Sequence, residues 1–363
     1  MLDRTELHRQ FARIFLPQPL QLVAALALFT FSSLPAFACS RLLWNGPDNQ
    51  VIVGRTMDWA YPFEDNLYIM PRGDTVTGGT KTNPLSWTVK YGSVTSSFSG
   101  WLSKQGPFTI DDGAADGINE KGFAAHFLFL SGSQYEKRNP AKPAVSTLRW
   151  VRYLLDNFAT VEEALAGMDQ IQIVPSHIGS NPMDFHVAIE DKSGDSAIIE
   201  FVDGQRVIHH GRNFTVMTND PPYDVQIQEL KQYKPFGGQK GLPGNIGSNE
   251  RFARLEYFSR YLPQTKDPEK AVAQVFSVMR TVASPVGAPY QDGATYPTWW
   301  FSISDLKNGV YYYDWVENSN TIKVNLNFID FSEGSGIRWL NPRLPDISGL
   351  VNDHFKPITA SAQ

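Results

Sequence analysis

An α+β fold rich in strand is predicted by three observations. Extended runs of β-branched and aromatic residues joined by turn residues come early and late in the chain. Helical periodicity is grouped between them, and no Pro/Gly/Ser-rich linker, repeat or low-complexity tract divides residues 39 to 363. One domain over residues 39–363, behind a leader of residues 1–38, is therefore expected.

Taken in order, Arg41–Trp44 and Gln50–Gly54 are short strands joined by the turn residues Asn45-Gly46-Pro47-Asp48-Asn49. Extended runs follow at Asn66–Met70, Trp87–Tyr91 and Phe123–Leu130. His186–Glu190, Ala197–Val202, Arg206–His209 and Phe214–Thr218 continue them, with turns at Lys192-Ser193-Gly194-Asp195 and Asp203-Gly204. Trp299–Ser304, Val310–Trp315 and Thr321–Phe328 make a last meander, and Asn308-Gly309 is a strong hairpin signal between the first two. Helices are expected at Ser146–Phe158, Val161–Met168, Asn249–Leu262 and Pro268–Ala283. Leu148, Val151, Leu154 and Leu155 recur at helical spacing, as do Val272, Val275, Phe276 and Met279. Thr160 before Glu162 and Glu163, and Asp267 before Pro268, mark two helix starts.

The first 38 residues have the pattern of a secretory signal. Arg4, Arg9 and Arg13 precede the apolar run Leu20–Leu34, which ends in Pro35 and Ala36-Phe37-Ala38. That run is shorter than the roughly 20 residues a membrane span needs. Cleavage after Ala38 exports the chain to the periplasm or beyond, free of the membrane. It leaves 29 Lys+Arg against 35 Asp+Glu. A mildly acidic chain without a cationic stripe argues against nucleic acid as a partner.

Cys39 is the only cysteine, so no intrachain disulfide is available to it. As the first residue of a mature chain it carries a thiol and a free α-amine together, a nucleophile with its own general base. A chain terminus is a poor place to bury a side chain, which argues against an inert core cysteine. The other possibility for the position is lipidation of a tethered binding protein. The residues three and two before the cysteine, Ala36 and Phe37, depart from the aliphatic and small residues such a signal uses.

A thiolate is favoured by nearby cations. Arg55 and Asp58 follow the second strand and return to the chain start if the first two strands form a hairpin. By spacing alone a surface ion pair is the favoured reading. Positions 55 and 58 of a regular strand face opposite sides, so sharing a pocket calls for a bend or bulge at Thr56-Met57. Asn219, before Asp220-Pro221-Pro222, either donates to an oxyanion or starts a turn. Arg251, beside Leu255, Phe258 and Leu262, either reaches a site or snorkels to solvent. The histidines show no ligand spacing, so no metal is expected. Gly237-Gly238-Gln239-Lys240-Gly241 lacks phosphate-loop spacing, and no cofactor is implied.

Cys39, Gly54-Arg55-Thr56-Met57-Asp58-Trp59, Asn119-Glu120-Lys121-Gly122, Met217-Thr218-Asn219-Asp220-Pro221 and Arg251-Phe252-Ala253-Arg254 together resemble the choloylglycine hydrolase family. These are N-terminal nucleophile hydrolases that include penicillin V acylases and bile salt hydrolases. The resemblance implies a four-layer αββα sandwich of two antiparallel sheets and hydrolysis of a small linear amide through an acyl-thioester on Cys39. It implies that Asp58 holds the α-amine, Arg55 supports the thiolate, Asn219 donates to the oxyanion and Arg251 orders the pocket. A homotetramer is also implied. Phe129 stands where Gram-positive bile salt hydrolases carry an asparagine. With Trp59 and Phe127 it makes an aromatic wall that looks more like the exported Gram-negative penicillin V acylases, and aryl or fatty acyl groups suit it. Conjugated bile salts and acyl-homoserine lactones are the competing substrate classes.

Overall fold

In the computed structural model, residues 39–290, 293–318 and 320–358 are described; the leader predicted over residues 1–38 lies outside them. Among the described residues two large sheets form, of seven and nine strands. The principal strands in chain order are β1 (Ser40–Asn45), β2 (Val51–Asp58), β3 (Asn66–Met70), β4 (Ser93–Ser97), β5 (Ala114–Asn119), β6 (Phe123–Phe129), β7 (Phe185–Asp191), β8 (Ser196–Val202), β9 (Gln205–His210), β10 (Val216–Thr218), β11 (Thr298–Asp305), β12 (Val310–Trp315), β13 (Thr321–Asn325) and β14 (Arg338–Leu340). The first sheet runs β10-β1-β2-β11-β12-β13, with Gly349–Leu350 parallel to β13 at its edge. The second runs β9-β8-β7-β6-β5-β4-β3-β14 and ends at Lys356–Pro357. The pairs between principal strands are antiparallel, which lets short turns join consecutive strands.

Helices cover the outer faces. α1 (Trp150–Asn157) and α2 (Val161–Met168) lie on the second sheet through β5, β6 and β7. α4 (Ser248–Phe258) and α5 (Pro268–Arg280) lie on the first through β10, β1, β2 and β11, after α3 (Tyr223–Leu230) has led into α4. The layers are α, β, β, α, the N-terminal nucleophile hydrolase fold. The expected caps form: Thr160 accepts from the Glu163 N–H, and Asp267 accepts from Glu269 and Lys270. Gly309 adopts φ +65° in the turn between β11 and β12, as the Asn-Gly pair requires. Among the described residues no helix is long and apolar enough to cross a membrane.

Several expectations are corrected. Trp87–Tyr91 is a strand only over Ser86–Thr88, and the sheet strand nearby is Ser93–Ser97. Ala114–Asn119 was not expected as a strand, because Ala, Asp, Gly and Asn are poor strand formers, yet pairing on both sides holds it fully buried. Phe214–Thr218 forms a strand only over Val216–Thr218, and Thr321–Phe328 ends in a 3-10 turn at Leu326–Phe328.

Candidate active site

Antiparallel neighbours bring the start of one strand beside the ends of the next. Ser40 pairs with Thr56 of β2 on one side and Thr218 of β10 on the other. Cys39, one residue before that ladder, therefore meets Met57-Asp58 at the end of β2 and Asn219 just past β10. Its Sγ lies 3.8 Å from Met57 Sδ and 3.8 Å from the Asp58 carbonyl oxygen. Contrary to expectation for a chain terminus, Cys39 is only 3 % exposed, because it heads a central strand under the opposite sheet.

Arg251 reaches the same point from α4. Nη1 donates to the Cys39 carbonyl and to Ser40 Oγ, both at 2.5 Å, and Nε donates to the Ile246 carbonyl at 3.0 Å. Nη2 donates to Asn219 Oδ1 at 3.4 Å, and Nη1 stands 4.0 Å from Asp58 Oδ2. The side chain is fully buried and does not snorkel. Asn219 Nδ2 donates to the Phe129 carbonyl at 2.6 Å, which fixes the amide against β6.

The bend expected at Thr56-Met57 is absent. Thr56 and Met57 pair with Phe301 and Trp300 without interruption, and the register slips instead between Thr298 and Trp300 of β11. Arg55 and Asp58 do face opposite sides. Arg55 Nη2 donates to the Phe127 carbonyl of the other sheet at 2.8 Å, its guanidinium 4.8 Å from the Trp300 ring centroid. Asp58 lies on the helix side, where Thr56 Oγ1 donates to Oδ2 at 3.4 Å. Cys39 lies near both because it ends its strand: its side chain shares the inter-sheet face with Met57 and Arg55, and its carbonyl binds Arg251 beside Asp58.

In the full-length chain the nitrogen of Cys39 is an amide. Burial pushes the Cys39 thiol up; Arg55 opposes the rise, Asp58 adds to it, and Arg251 also opposes it. Burial likewise pushes Asp58 up to about 7 against the pull of Arg251 and of the Thr298 and Thr56 hydroxyls. Asp58 Oδ1 is buried with no hydrogen-bond partner of normal geometry.

Aromatic rings cluster beside these residues, since Trp59 follows Asp58 and Phe129 carries the carbonyl that holds Asn219. Trp59 meets Phe129 edge-on at 6.1 Å and Phe63 at 4.9 Å; Phe185 meets Phe129 edge-on at 6.0 Å and stacks on Phe127 at 3.9 Å. Sequence reasoning missed Gln226, whose Nε2 donates to the carbonyls of Asn219 and Pro221, both at 2.6 Å. Its helix, α3, was signalled by Pro221-Pro222 before Tyr223-Asp224. Tyr290 was missed as well; its hydroxyl donates to the Ile246 carbonyl at 3.0 Å, and its phenol senses Arg251, Asp58 and Cys39. A separate cleft of about 500 Å³, lined by Lys81, Arg138, Arg149 and His177, contains none of these residues. Among the described residues no group of three or more His, Cys, Asp or Glu is placed to hold a metal ion.

Comparison with known proteins shows the family. The family described as linear amide C-N hydrolases, choloylglycine hydrolase family, matches residues 39–336. The chain is 36 % identical to a penicillin V acylase of Pectobacterium atrosepticum, over 92 % of this chain and 95 % of that one. It is 26 % identical to a bile salt hydrolase/transferase of Clostridium perfringens, over 81 % of this chain and 95 % of that one. A solved penicillin V acylase from Agrobacterium tumefaciens superposes with a TM-score of 0.78 at 34 % identity, covering 88 % of this chain and 98 % of the other. The chain belongs to the choloylglycine hydrolase family and is a hydrolase of linear amide C–N bonds.

Proposed function

We propose that this protein is an exported amidohydrolase of penicillin V acylase type whose nucleophile is Cys39 with a free α-amine. The observation that carries the proposal is the convergence of Arg55, Asp58, Asn219 and Arg251 on the residue at which the family match begins. Asp58 Oδ1, a buried acceptor without a partner, suits the ammonium that cleavage after Ala38 creates.

In this mechanism the neutral α-amine takes the Sγ proton, and the thiolate, supported by Arg55, attacks the amide carbonyl carbon. Asn219 Nδ2 has one hydrogen on the Phe129 carbonyl and a second left for the tetrahedral oxyanion. Because Phe129 has no side-chain donor, a main-chain N–H completes the oxyanion site. The C–N bond breaks as the α-ammonium returns its proton to the leaving amine, and a thioester remains on Cys39. Water, deprotonated by the α-amine, attacks the thioester; the C–S bond breaks, the acid leaves and the thiol is restored. Arg251 holds the Cys39 carbonyl in place throughout.

The wall of Trp59, Phe129 and Phe185 favours a flat aryl acyl group. Cys39→Ser is expected to be exported and folded but to lose phenoxyacetyl amide hydrolysis by at least about 10³-fold. Unchanged turnover would sink the mechanism. Mass spectrometry of the exported wild type is expected to find an unmodified Cys39 at its N-terminus, whereas a diacylglyceryl adduct would identify a lipoprotein. Parallel assays on conjugated bile salts and acyl-homoserine lactones rank the acyl classes.

A further inference from the structure

A line of charged side chains crosses the core between the two sheets. Ser96, Asp116 and His126 are direct cross-strand partners on β4, β5 and β6, and Glu190 shares their face on β7. Arg41, Arg55 and Ser302 are partners on the facing sheet, with Tyr311 and Tyr313 on the same side of β12. Arg41 Nη2 donates to Glu190 Oε2 at 2.5 Å, and Glu190 Oε1 lies 2.5 Å from His126 Nε2. His126 Nδ1 bonds Asp116 Oδ1, and Tyr311 OH donates to Asp116 Oδ2 at 2.5 Å. None of the five is more than 1 % exposed.

Both ring nitrogens of His126 face carboxylate oxygens. An ionised carboxylate only accepts, so both nitrogens donate and the ring is an imidazolium. Burial opposes that charge, but Glu190 and Asp116 outweigh it and hold His126 at about 9. Burial also opposes ionisation of the two acids; His126 and Arg55 hold Asp116 below its ordinary range, and Arg41 and His126 do the same for Glu190. The line is thus neutral: Arg41 and His126 against Glu190 and Asp116. Arg55 stands apart. It forms no ion pair among the described residues, and its Nε and Nη1 have no hydrogen-bond partner. Its field nonetheless reaches Asp116, Asp65 and Cys39.

We propose that His126 is a positioning residue for the reaction: its buried charge neutralises Asp116 and Glu190 and thereby leaves the charge of Arg55 to the Cys39 thiolate. The proposal rests on Cys39 as nucleophile. Without His126, Asp116 draws on Arg55 and the thiolate loses support. The other ionisable groups facing the thiol are Asp58 on β2, Arg251 on α4 and Tyr290 before β11, and none belongs to the line.

Cys39 is the sole cysteine, so the pH dependence of alkylation by iodoacetamide reports one thiol in any purified variant, active or not. His126→Gln is expected to raise the alkylation midpoint by about half a pH unit or more, and Asp116→Asn to lower it by a similar amount. The double variant restores neutrality and is expected to return within about 0.2 unit of wild type. Single variants that shift in the same direction, or not at all, overturn the proposal. Should a single variant fail to fold, ¹⁵N-histidine NMR of the wild type decides the matter. One ring with two slowly exchanging N–H protons is expected at pH 7.5, and its absence overturns the proposal. Hydrolysis by Cys39→Ser tests the nucleophile, whereas these midpoints test only the charge line, so the two can fail separately.

Discussion

Asn219 has two amide hydrogens, and one is committed to the Phe129 carbonyl at 2.6 Å. Arg251 donates to its Oδ1 and Gln226 to its backbone oxygen, so the remaining N–H is aimed by three neighbours before substrate arrives. Asn219→Ala is expected to lower kcat for a phenoxyacetyl amide by about 10²–10³-fold with little change in KM. Steady-state kinetics that raise KM and spare kcat would move Asn219 from transition-state to ground-state binding. The residue types of this cluster were legible in the sequence, because a lone cysteine, a Gly-Arg-Thr-Met-Asp run and an asparagine before prolines are local signals. Their arrangement was not. That Arg55 and Asp58 flank Cys39 from opposite faces depends on Cys39 ending its strand, and Tyr290 reaches the site only through a fold that spacing does not describe.

Strand β2 meets helix α5 at Gly54, and the contact leaves no room for a side chain. A Cβ there would lie 2.6 Å from Met279 Cγ, 2.9 Å from Ile303 Cδ1 and 3.0 Å from Val275 Cγ1. Gly54→Ala is therefore expected to destabilise the protein by about 1–3 kcal/mol through overpacking, read as a lower thermal midpoint. Met279→Ala introduced alongside should recover part of the loss. A single variant as stable as wild type would show that the helix shifts freely on the sheet. The helical stripe that supplies Val275 and Met279 was plain in the sequence, as were β3, β6, β7, β8 and the late meander, since each has apolar residues at its own period. β4 and β5 were not, and the reason is chemical. Ser93–Ser97 is serine and threonine around a single valine, and Ala114–Asn119 is small and polar residues that bring Asp116 into the charge line, so neither has the apolar alternation that would reveal it.

Across the folded chain, buried charges divide into two sets with opposite dependence on pH. Glu200 accepts from His186 and from the Tyr223 N–H at the start of α3; burial opposes its ionisation, but these partners hold it at about 2. Its contribution is complete above its ordinary value of 4.5 and is lost as pH falls toward 2, and the depressed Asp116 and Glu190 act in the same direction. Asp65 and Asp220 are raised by burial to about 6, so each penalises the fold increasingly as pH climbs from 3.8 through 6. His126 is raised to about 9 by Glu190 and Asp116 against the pull of burial, so its stabilisation is complete below 6.5 and disappears as pH rises through 9. Asp58 is left out of this balance, because the proposed cleavage after Ala38 turns the Cys39 amide into an ammonium. The remaining terms combine to place the stability maximum on the acid side of neutral, at about pH 5. Calorimetry of the mature protein from pH 3 to 9 should show the thermal midpoint highest there and falling toward pH 9, and a maximum above pH 7.5 would contradict it. Replacing His126 and Asp116 together by Gln and Asn removes an alkaline-sensitive pair without changing net charge, so in that variant the decline between pH 7 and 9 should flatten while the acid limb set by Glu200 persists.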